Sequence, residues 1–345
     1  MTKQVQAEPE HAGRARRPTS YDVALLAGVS QSAVSRCFRT GSSIAPATRA
    51  KVLRAARELG YQPNAIASGL ITKRSNMVAV IISNLTNLYY PEVLASLSAK
   101  LDAQGVRVLL FALANEGDVD AALDQVWRYR VDGAIAAARL SPDQLRRFAR
   151  HRVPVVLYNR FGEEVSVATV CCDSIGGERL LVDGLLAAGH RRFGVIGGPE
   201  DSYVARQRVE GALARLAEAG ITPAVTGGAF DHDSGVAGLR RLMTMSDNRL
   251  DAVVCANDLM AIGAIDAARE VYGLNVPRQL SIVGFDGVSP AAWASYRLTT
   301  VRQPVERMTD AAVAMLMERV ADPDLPPEVR TFAGTFQPGG SARLG

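Results

Sequence analysis

Beyond about residue 76, short apolar runs alternate along the chain with longer amphipathic segments. The runs at residues 77–82 and 108–114 are apolar throughout, which is typical of strands covered on both faces of a sheet. Because predicted strands and helices alternate along the chain, the sheet is predicted to be parallel with right-handed crossovers. The unit occurs about twice, near residues 77–170 and 171–290. This predicts an α/β fold with two doubly wound parallel-sheet lobes that face each other.

The same pattern predicts the limits of the individual elements. Strands are predicted at residues 77–82, 106–111, 133–136, 153–158, 167–171, 192–196, 252–255 and 281–283. Helices are predicted at residues 91–104, 118–129, 141–151, 175–188, 203–219 and 259–271. Ligands of such sheets bind beyond the carboxyl ends of the strands, so we expect a small molecule in the cleft between the lobes.

Residues 19–60 have a different pattern, which predicts three short helices. Thr19 or Ser20 can cap a first helix, which runs to a tight turn at Gly28. Ser30 caps a second helix up to about residue 38, and a third helix ends at Gly60. Apolar residues at helical spacing predict one small core, made of Val23, Ala24, Ala27, Val29, Val34, Val52, Ala56 and Leu59.

A helix, a Gly-containing turn and a second capped helix form a helix-turn-helix signature. The outer face of the second helix is short, polar and cationic, so its side chains can reach base edges and phosphates in the major groove. The residues of this face are Gln31, Ser32, Ser35, Arg36 and Arg39. A solvated helical hairpin is the alternative interpretation.

The distribution of charge favours the DNA-binding interpretation. Residues 1–75 contain 12 basic and four acidic side chains, a net charge of +8. The remainder contains 27 basic and 31 acidic side chains, a net charge of −4. A basic head on an acidic body is typical of a DNA-binding module fused to another domain.

Composition excludes several other classes of protein. With 48% hydrophobic and 21% charged residues, a chain of 345 residues is expected to form two or three soluble domains. The polar residues 1–18 are expected to be a disordered arm, able to contact DNA phosphates, and contain no signal peptide. No apolar run could span a membrane. The four cysteines lack C-x-x-C spacing and the four histidines are scattered, so no metal site and no cofactor are predicted. The expected compartment is the reducing cytoplasm.

Residues 19–73 also contain a series of short motifs: Tyr21-Asp22-Val23-Ala24, Ala27-Gly28-Val29-Ser30, Val34-Ser35-Arg36, Thr48-Arg49, Leu59-Gly60-Tyr61 and Pro63-Asn64. This series resembles the amino-terminal signature of LacI/GalR-family transcription regulators over about 55 residues. The resemblance implies a hinge helix from Asn64 to about residue 72, whose Leu70 enters the operator's minor groove and kinks the duplex. Gly69 weakens this helix by roughly 0.5–1 kcal/mol relative to Ala, so we expect it to order only on DNA.

The resemblance assigns DNA contacts to particular side chains. Gln31, Ser32 and Ser35 are expected to contact bases. Tyr21, Arg36 and Arg39 are expected to contact phosphates or base edges. Ser30, Asn64 and Leu70 are also expected to contact the DNA. Arg39 stands where the family commonly has Asn, so one contact near the operator edge is expected to differ.

The body resembles the LacI/GalR effector-binding region, which is itself similar to periplasmic sugar-binding proteins. The motifs that carry this resemblance are Asp173-Ser174-Ile175-Gly176-Gly177, Gly189-His190-Arg191-Arg192, Ala256-Asn257-Asp258, Val283-Gly284-Phe285-Asp286 and Leu298-Thr299-Thr300-Val301. The expected domains are an arm (1–18), a helix-turn-helix domain (19–62), a hinge (63–75) and an effector-binding domain (76–345). Its first lobe would comprise residues 76–170 and 302–325. Its second lobe would comprise residues 171–298 and 329–345, with a last strand near residues 331–336.

Candidate effector contacts follow predicted strands, in a loop or at the start of the next helix, and several hold positions similar to effector-binding residues of the family. In the second lobe they are Arg208, Phe230, Asn257 and Asp286; a guanidinium and a carboxylate can bind hydroxyl pairs. In the first lobe they are Tyr89 and Tyr90, placed in a loop before Pro91, together with Asn159 and Arg160. Aromatic faces can stack on a sugar ring. The two arginines favour a sugar acid or another anion, although arginine at both positions also occurs in family members that bind neutral sugars.

These observations predict a transcriptional repressor rather than an enzyme. It would bind an inverted-repeat operator in double-stranded DNA as a homodimer, because two-fold symmetric protein matches two-fold symmetric DNA. A small polar effector, a sugar or sugar acid, would control its DNA affinity. A periplasmic solute-binding protein is the alternative, but it would need a signal peptide and no basic head. An enzyme would need a catalytic acid/base pair in the cleft, and the sequence offers none.

Overall fold

The computed structural model describes residues 17–38, 43–62, 74–113, 118–162 and 166–344. It divides into two compact units, Met1–Ser75 and Asn76–Gly345. We call the first unit the head and the second the body. No described helix is both long enough and apolar enough to cross a membrane.

The head contains the three predicted helices, α1 (Ser20–Ala27), α2 (Gln31–Cys37) and α3 (Pro46–Leu59). Thr19 caps α1 in a capping box with Asp22, and Gly28 ends the helix in the left-handed conformation, with φ at 65°. Val23, Val34 and Val52 are fully buried at the centre of a core that contains all eight predicted residues. The predicted hinge helix and residues 1–16 lie outside the described residues.

Twelve strands form two sheets in the described part of the body. They are β1 (Met77–Ser83), β2 (Arg107–Leu113), β3 (Gly133–Ala137), β4 (Val155–Tyr158), β5 (Ala168–Cys172), β6 (Phe193–Ile196), β7 (Ala224–Thr226), β8 (Ala252–Cys255), β9 (Ser281–Asp286), β10 (Thr299–Arg302), β11 (Val329–Phe332) and β12 (Thr335–Gln337). The sheet of the first lobe has the order β11-β5-β4-β3-β1-β2, and that of the second lobe β12-β10-β9-β8-β6-β7. All neighbours are parallel except β10 and β12.

Helices cover these sheets, as the continuous apolar strands predict. They are α4 (Tyr89–Asp102), α5 (Val119–Tyr129), α6 (Pro142–His151), α7 (Ser174–Ala187), α8 (Tyr203–Glu218), α9 (His232–Met245), α10 (Asp258–Glu270) and α11 (Val305–Ala321). A short 3₁₀ helix spans Ser289–Ala292. The central strands β3 and β9 are buried along their whole length, and the cores lie between sheet and helices.

The chain passes between the lobes three times. It leaves the first lobe after β5, returns to it after β10, where α11 packs on α4, and leaves it again between β11 and β12. The expected return near residue 302 therefore occurs. The expectation of one last strand, near residues 331–336 of the second lobe, is wrong: β11 pairs with β5 of the first lobe and β12 with β10 of the second. The backbone turns between them at Gly334, where a Cβ atom would lie 2.4 Å from Val301 Cγ1.

Several described elements of the second lobe have no counterpart in the predicted strands and helices: β7, α9, the 3₁₀ helix and β10. Strand β7 has three residues, none of them buried, so it lacks the apolar signal of the other strands. Helix α9 contains Gly235 and Gly238, which are poor helix formers. Tertiary packing requires Gly235, because a Cβ atom there would lie 2.1 Å from the Met260 carbonyl oxygen of α10.

The placement of two tyrosines is corrected by the structure. Tyr89 and Tyr90 form the first turn of α4 and are buried, whereas the sequence placed them in a loop before Pro91. The Asn87 side chain accepts a hydrogen bond from the Tyr89 N–H, so the helix begins before the proline. Proline is tolerated there because the first N–H groups of a helix have no partner within it.

Candidate functional site

The predicted DNA-contacting residues of the head begin at the turn before α2. The Ser30 hydroxyl accepts a hydrogen bond from the Ala33 N–H and lies 2.9 Å from the Ser32 hydroxyl oxygen. Ser32 and Arg36 are exposed, whereas Gln31 and Ser35 are half-buried. The α2 surface that Ala33, Val34 and Cys37 leave uncovered is therefore polar and cationic, as predicted.

Two contacts fix the position of this helix in the head. The Gln31 Nε2 atom donates to the Ser20 hydroxyl of α1 at 3.2 Å. The Arg49 guanidinium of α3 donates to the Cys37 carbonyl at 3.1 Å, at the carboxyl end of α2. Arg49 thus has a structural role in the helix-turn-helix unit. Tyr21 on α1 is 71% exposed, which suits its predicted contact with a phosphate.

Three of the predicted DNA contacts cannot be placed. Arg39, Asn64 and Leu70 lie outside the described residues, as does Gly69.

The predicted effector contacts converge on a cleft between the two lobes of the body. The cleft encloses about 380 Å³ of empty space, including its open mouth, but only about 30 Å³ of it admits the centre of a water molecule. Its walls are formed by Asn84, Asn87, Tyr89, Tyr90, Asn159, Arg160, Val204, Arg208, Phe230, Asp286 and Gln303. Seven of the eight predicted residues are in this set. Residues of both lobes therefore line one cleft.

Arg208 and Asp286 form a buried ion pair at the second-lobe side of the cleft. The Arg208 Nη2 atom donates to Asp286 Oδ1 at 2.8 Å, and its Nη1 atom donates to the Ala256 carbonyl at 2.6 Å. The guanidinium carbon lies 3.9 Å from the centroid of the Phe285 ring, which fixes its plane. Burial raises the pKa of Asp286, and the Arg208 charge opposes that rise.

Gln303 connects this ion pair to the first lobe. Its Nε2 atom donates to Asp286 Oδ1 at 2.7 Å, and its Oε1 atom accepts from Asn159 Nδ2 at 2.8 Å. Gln303 stands where the chain crosses from β10 to α11. No local motif in the sequence marks Gln303 as a cleft residue, so it is not among the predicted contacts.

Asn159 is the centre of the first-lobe side. Its Nδ2 atom also donates to the Tyr89 hydroxyl at 3.3 Å, and its Oδ1 atom accepts from the Cys172 N–H at 3.0 Å. The Tyr89 and Tyr158 hydroxyl oxygens lie 3.1 Å apart. Burial, reinforced by Tyr158, raises the pKa of Tyr89 well above its usual value, so this hydroxyl stays uncharged.

The second tyrosine and the second arginine form another pair. Arg160 Nη1 donates to the Tyr90 hydroxyl at 3.1 Å and to the Asn159 carbonyl at 2.9 Å. The rings of Tyr89 and Tyr90 meet edge to face, with centroids 5.4 Å apart. Neither ring therefore has the open face of a loop residue that the sequence interpretation assumed.

Asn257 is the one predicted effector contact that does not line the cleft. Its side chain is fully buried, and its Oδ1 atom caps α10 by accepting from the Met260 N–H at 2.9 Å. Its Nδ2 atom donates to the Phe230 carbonyl at 3.0 Å. Asn257 therefore holds the loop that presents Phe230, and its contact with the effector stays a prediction.

Several cleft residues have a strained backbone. Asn84, Asn159, Phe230 and Asp286 have φ values of 57°, 51°, 63° and 123°, in a region that L-residues rarely adopt. Each follows a strand or stands at its carboxyl end. Such strain clusters at ligand-binding sites, where surrounding contacts hold it in place.

Comparisons with known proteins agree with this architecture. A model of the lacI family of bacterial regulatory proteins matches residues 19–64, and a periplasmic binding protein-like domain matches residues 182–342. The HTH-type transcriptional regulator CelR of Thermobifida fusca is 33% identical over 318 residues, which cover 89% of this chain and 93% of that protein. The HTH-type transcriptional repressor CytR of Escherichia coli K12 is 29% identical over 307 residues, or 88% and 89% of the two chains.

Solved structures give the same result. A lac repressor dimer bound to operator and the anti-inducer ONPF superimposes with a TM-score of 0.85 and 26% identity, over 94% of this chain and 99% of that one. A complex of the transcriptional regulator CelR with cellobiose superimposes with a TM-score of 0.72 and 30% identity, over 94% of this chain and 100% of that one. The chain belongs to the lacI family of bacterial regulatory proteins and is a DNA-binding transcriptional regulator of the helix-turn-helix type.

Proposed function

We propose that this regulator is a repressor that binds an inverted-repeat operator as a homodimer and that a small sugar in the interlobe cleft controls its DNA affinity. Residues 19–62 would bind the major groove, residues 63–75 would form the hinge, and residues 76–345 would bind the effector. The observation that carries the effector proposal is the buried Arg208–Asp286 pair, joined through Gln303 to Asn159 of the opposite lobe.

The exposed face of α2 supports the DNA-binding roles. Ser32 and Arg36 are exposed and Ser30 caps the helix, which supports a contact of these side chains with the major groove. Gln31 and Ser35 are half-buried and would offer their polar ends to bases. Tyr21 on α1 would contact a phosphate, which fixes register without carrying sequence information.

The chemistry of the cleft favours a neutral sugar. The Arg208 charge is balanced by Asp286 at 2.8 Å, so this pair offers hydroxyl groups both a donor and an acceptor. Asn159 and the Tyr89 hydroxyl supply further neutral groups, and a relative has been crystallised with cellobiose. A sugar acid is the second candidate, because the Arg160 guanidinium also lines the cleft and could bind a carboxylate in bidentate geometry.

The lobes provide two states for an effector to select. In the state described here, Gln303 joins Asn159 to Asp286 across the cleft. A sugar would enter an opened cleft and replace the contacts that now join Gln303, Asn159 and Asp286. It would change DNA affinity only through its different affinities for the DNA-binding and non-binding states.

Ligand-induced thermal stabilisation tests the effector proposal. The protein would be heated with cellobiose, glucose, gluconate and adenosine in turn, with isothermal calorimetry on each compound that stabilises it. Arg208→Ala is expected to abolish the effect of the compound that binds. Arg206→Ala, an exposed arginine on the same helix, is the matched control and should respond like the parent. If none of the four compounds stabilises the parent, the sugar proposal is wrong.

Selection from a random duplex pool tests the DNA-binding proposal. The recovered sites should be inverted repeats, protected from cleavage over two half-sites. Arg36→Ala should weaken binding to all of them and lower the slope of log affinity against log salt by about one, as expected for one lost phosphate contact. Recovery of sites without dyad symmetry would contradict the dimer model.

A further inference from the structure

A second carboxyl group lies close to Arg208 in the interior of the second lobe. Glu178 is on α7, is 1% exposed and points away from solvent. Helix α8 packs against it at Gly211, where a Cβ atom would lie 3.2 Å from Glu178 Cβ. Arg208 precedes Gly211 by three residues on α8, so both lie on the α8 face that meets α7. The effector-site arginine thus has Asp286 on the cleft side and Glu178 on the α7 side.

Neither oxygen of the Glu178 carboxyl has a hydrogen-bond partner among the described residues, and the same holds for the Arg208 Nε atom. The two groups are complementary, a free acceptor and a free donor in one buried region. Their separation in this structure exceeds a hydrogen bond. An ionised carboxylate left unpaired in such a region is very costly, so a group of this kind binds a proton instead.

The surroundings favour the uncharged form of Glu178. Burial raises its pKa well above the usual value; Arg208 opposes this rise, and Asp286 and Asp258 reinforce it. Cys255 on β8 also faces it and has a pKa raised by burial, so it is a neutral thiol. One guanidinium therefore shares the region with three carboxyl groups, and it is already bonded to one of them.

We propose that Glu178 is a positioning residue: its uncharged carboxyl leaves Arg208 bound to Asp286 and directed at the cleft, and its ionisation draws Arg208 away and weakens effector binding. This rests on the proposed function only for its second part. Loss of the Glu178 proton creates a carboxylate that competes with Asp286 for the guanidinium, and the Nε–H group is the donor it would take. Effector binding would then be linked to uptake of one proton.

Unfolding in urea at pH 5, 6, 7 and 8 tests the first part without a ligand. The full-length parent is compared with Glu178→Gln, an isosteric mimic of the uncharged acid. Glu210→Gln is the control, because Glu210 is an exposed carboxyl on α8. The parent's folding equilibrium constant should fall relative to Glu178→Gln by up to tenfold per pH unit until the folded-state pKa is passed. Equal pH dependence in all three proteins would mean an ionised Glu178 and would overturn the proposal.

Cellobiose binding measured by calorimetry at pH 6 to 9 tests the second part, or gluconate if that is the compound that binds. The parent's Kd should rise by up to tenfold per pH unit above the pKa of Glu178, whereas Glu178→Gln should bind with a Kd within about threefold of the parent at pH 6 and show no rise. Glu178→Leu, which is uncharged at every pH, should likewise show no rise in Kd. A parallel pH profile in parent and Glu178→Gln would overturn the linkage. If no compound binds the parent, the effector proposal fails, while the urea series still decides the state of Glu178.

Discussion

Arg208 and Asp286 come from different elements of the second lobe, α8 and the end of β9, and form an ion pair at 2.8 Å in which each side chain is 3% exposed. Asp286 has a strained backbone, with φ at 123°. Both residues line the cleft between the lobes. Each partner therefore depends on the other.

Removing one charge of this pair should be strongly destabilising. Asp286→Asn keeps the shape of the side chain but leaves the Arg208 charge uncompensated in the interior, which typically costs about 3–5 kcal/mol of unfolding free energy. The double variant Arg208→Met, Asp286→Asn should recover most of this loss, because neither charge then remains. Urea unfolding of the parent, both single variants and the double variant measures the coupling. A loss below about 1 kcal/mol in Asp286→Asn would contradict an ion pair of this kind.

Substitution of Gln303 should weaken the coupling between the two lobes, although its side chain carries no charge. Gln303→Leu removes both of its side-chain hydrogen bonds and leaves Asn159 and Asp286 each without one buried partner, a cost of about 1–3 kcal/mol. We expect lower stability and a change in the effect of the sugar on DNA affinity. Anisotropy of labelled operator with and without sugar measures the second quantity. Gln207→Leu, on a half-buried glutamine of α8, is the control and should leave that response unchanged.

The buried Asp258 should give the protein a stability that depends on pH. Burial, together with Asp286, raises the pKa of Asp258 to about 7, although Thr300 and the N–H groups of Val288 and Gly287 oppose the rise. The folded state then binds the proton more tightly than the unfolded state, so this group's contribution to stability falls as pH rises from about 4 to about 7.

Relative to Asp258→Asn, the parent should lose up to about 1.4 kcal/mol of unfolding free energy per pH unit across this interval and nothing above it. Guanidinium unfolding at half-unit pH steps checks this expectation. A parent that gains stability relative to Asp258→Asn between pH 4 and pH 7 would show that the hydrogen bonds to the carboxylate outweigh burial.

Close packing of α9 on α10 predicts a large effect for a small substitution. Gly235→Ala places a methyl group about where the Met260 carbonyl oxygen now lies, so the helices must separate, at a cost of about 1–3 kcal/mol. Gly227→Ala is the matched control, since a Cβ atom there meets nothing within 4 Å. Differential scanning calorimetry should give a lower Tm for the first variant alone. Equal Tm values would mean that α9 shifts freely on α10.

Elements were predicted well where the interactions that define them join residues close together in the sequence. The head was predicted closely because its signals are local: Thr19 and Asp22 form a capping box three residues apart, and Gly28 ends α1 directly. The buried strands were predicted for a similar reason, because a strand covered on both faces must be apolar along its length.

The rest depended on distant partners. Gln303 contacts Asn159, which is 144 residues away, so no window of sequence marks it as part of the cleft. Gly235 is unfavourable in a helix by local propensity. Only its close approach to the backbone of α10 explains why glycine stands there. Asn257 is predicted as an effector contact, whereas in the structure its side chain caps α10 and bonds to the Phe230 carbonyl.

The route of the polypeptide through the body limits how a bound sugar could influence DNA. The segment from the head enters the body at β1, in the first lobe, whereas Arg208 and Asp286 belong to the second. A conformational change at these two residues can therefore reach the first lobe only through the three chain crossings or through contacts across the cleft. Gln303 takes part in both routes, since it stands at one crossing and bonds to each lobe. A variant there could leave sugar and operator affinity intact and still disconnect one from the other.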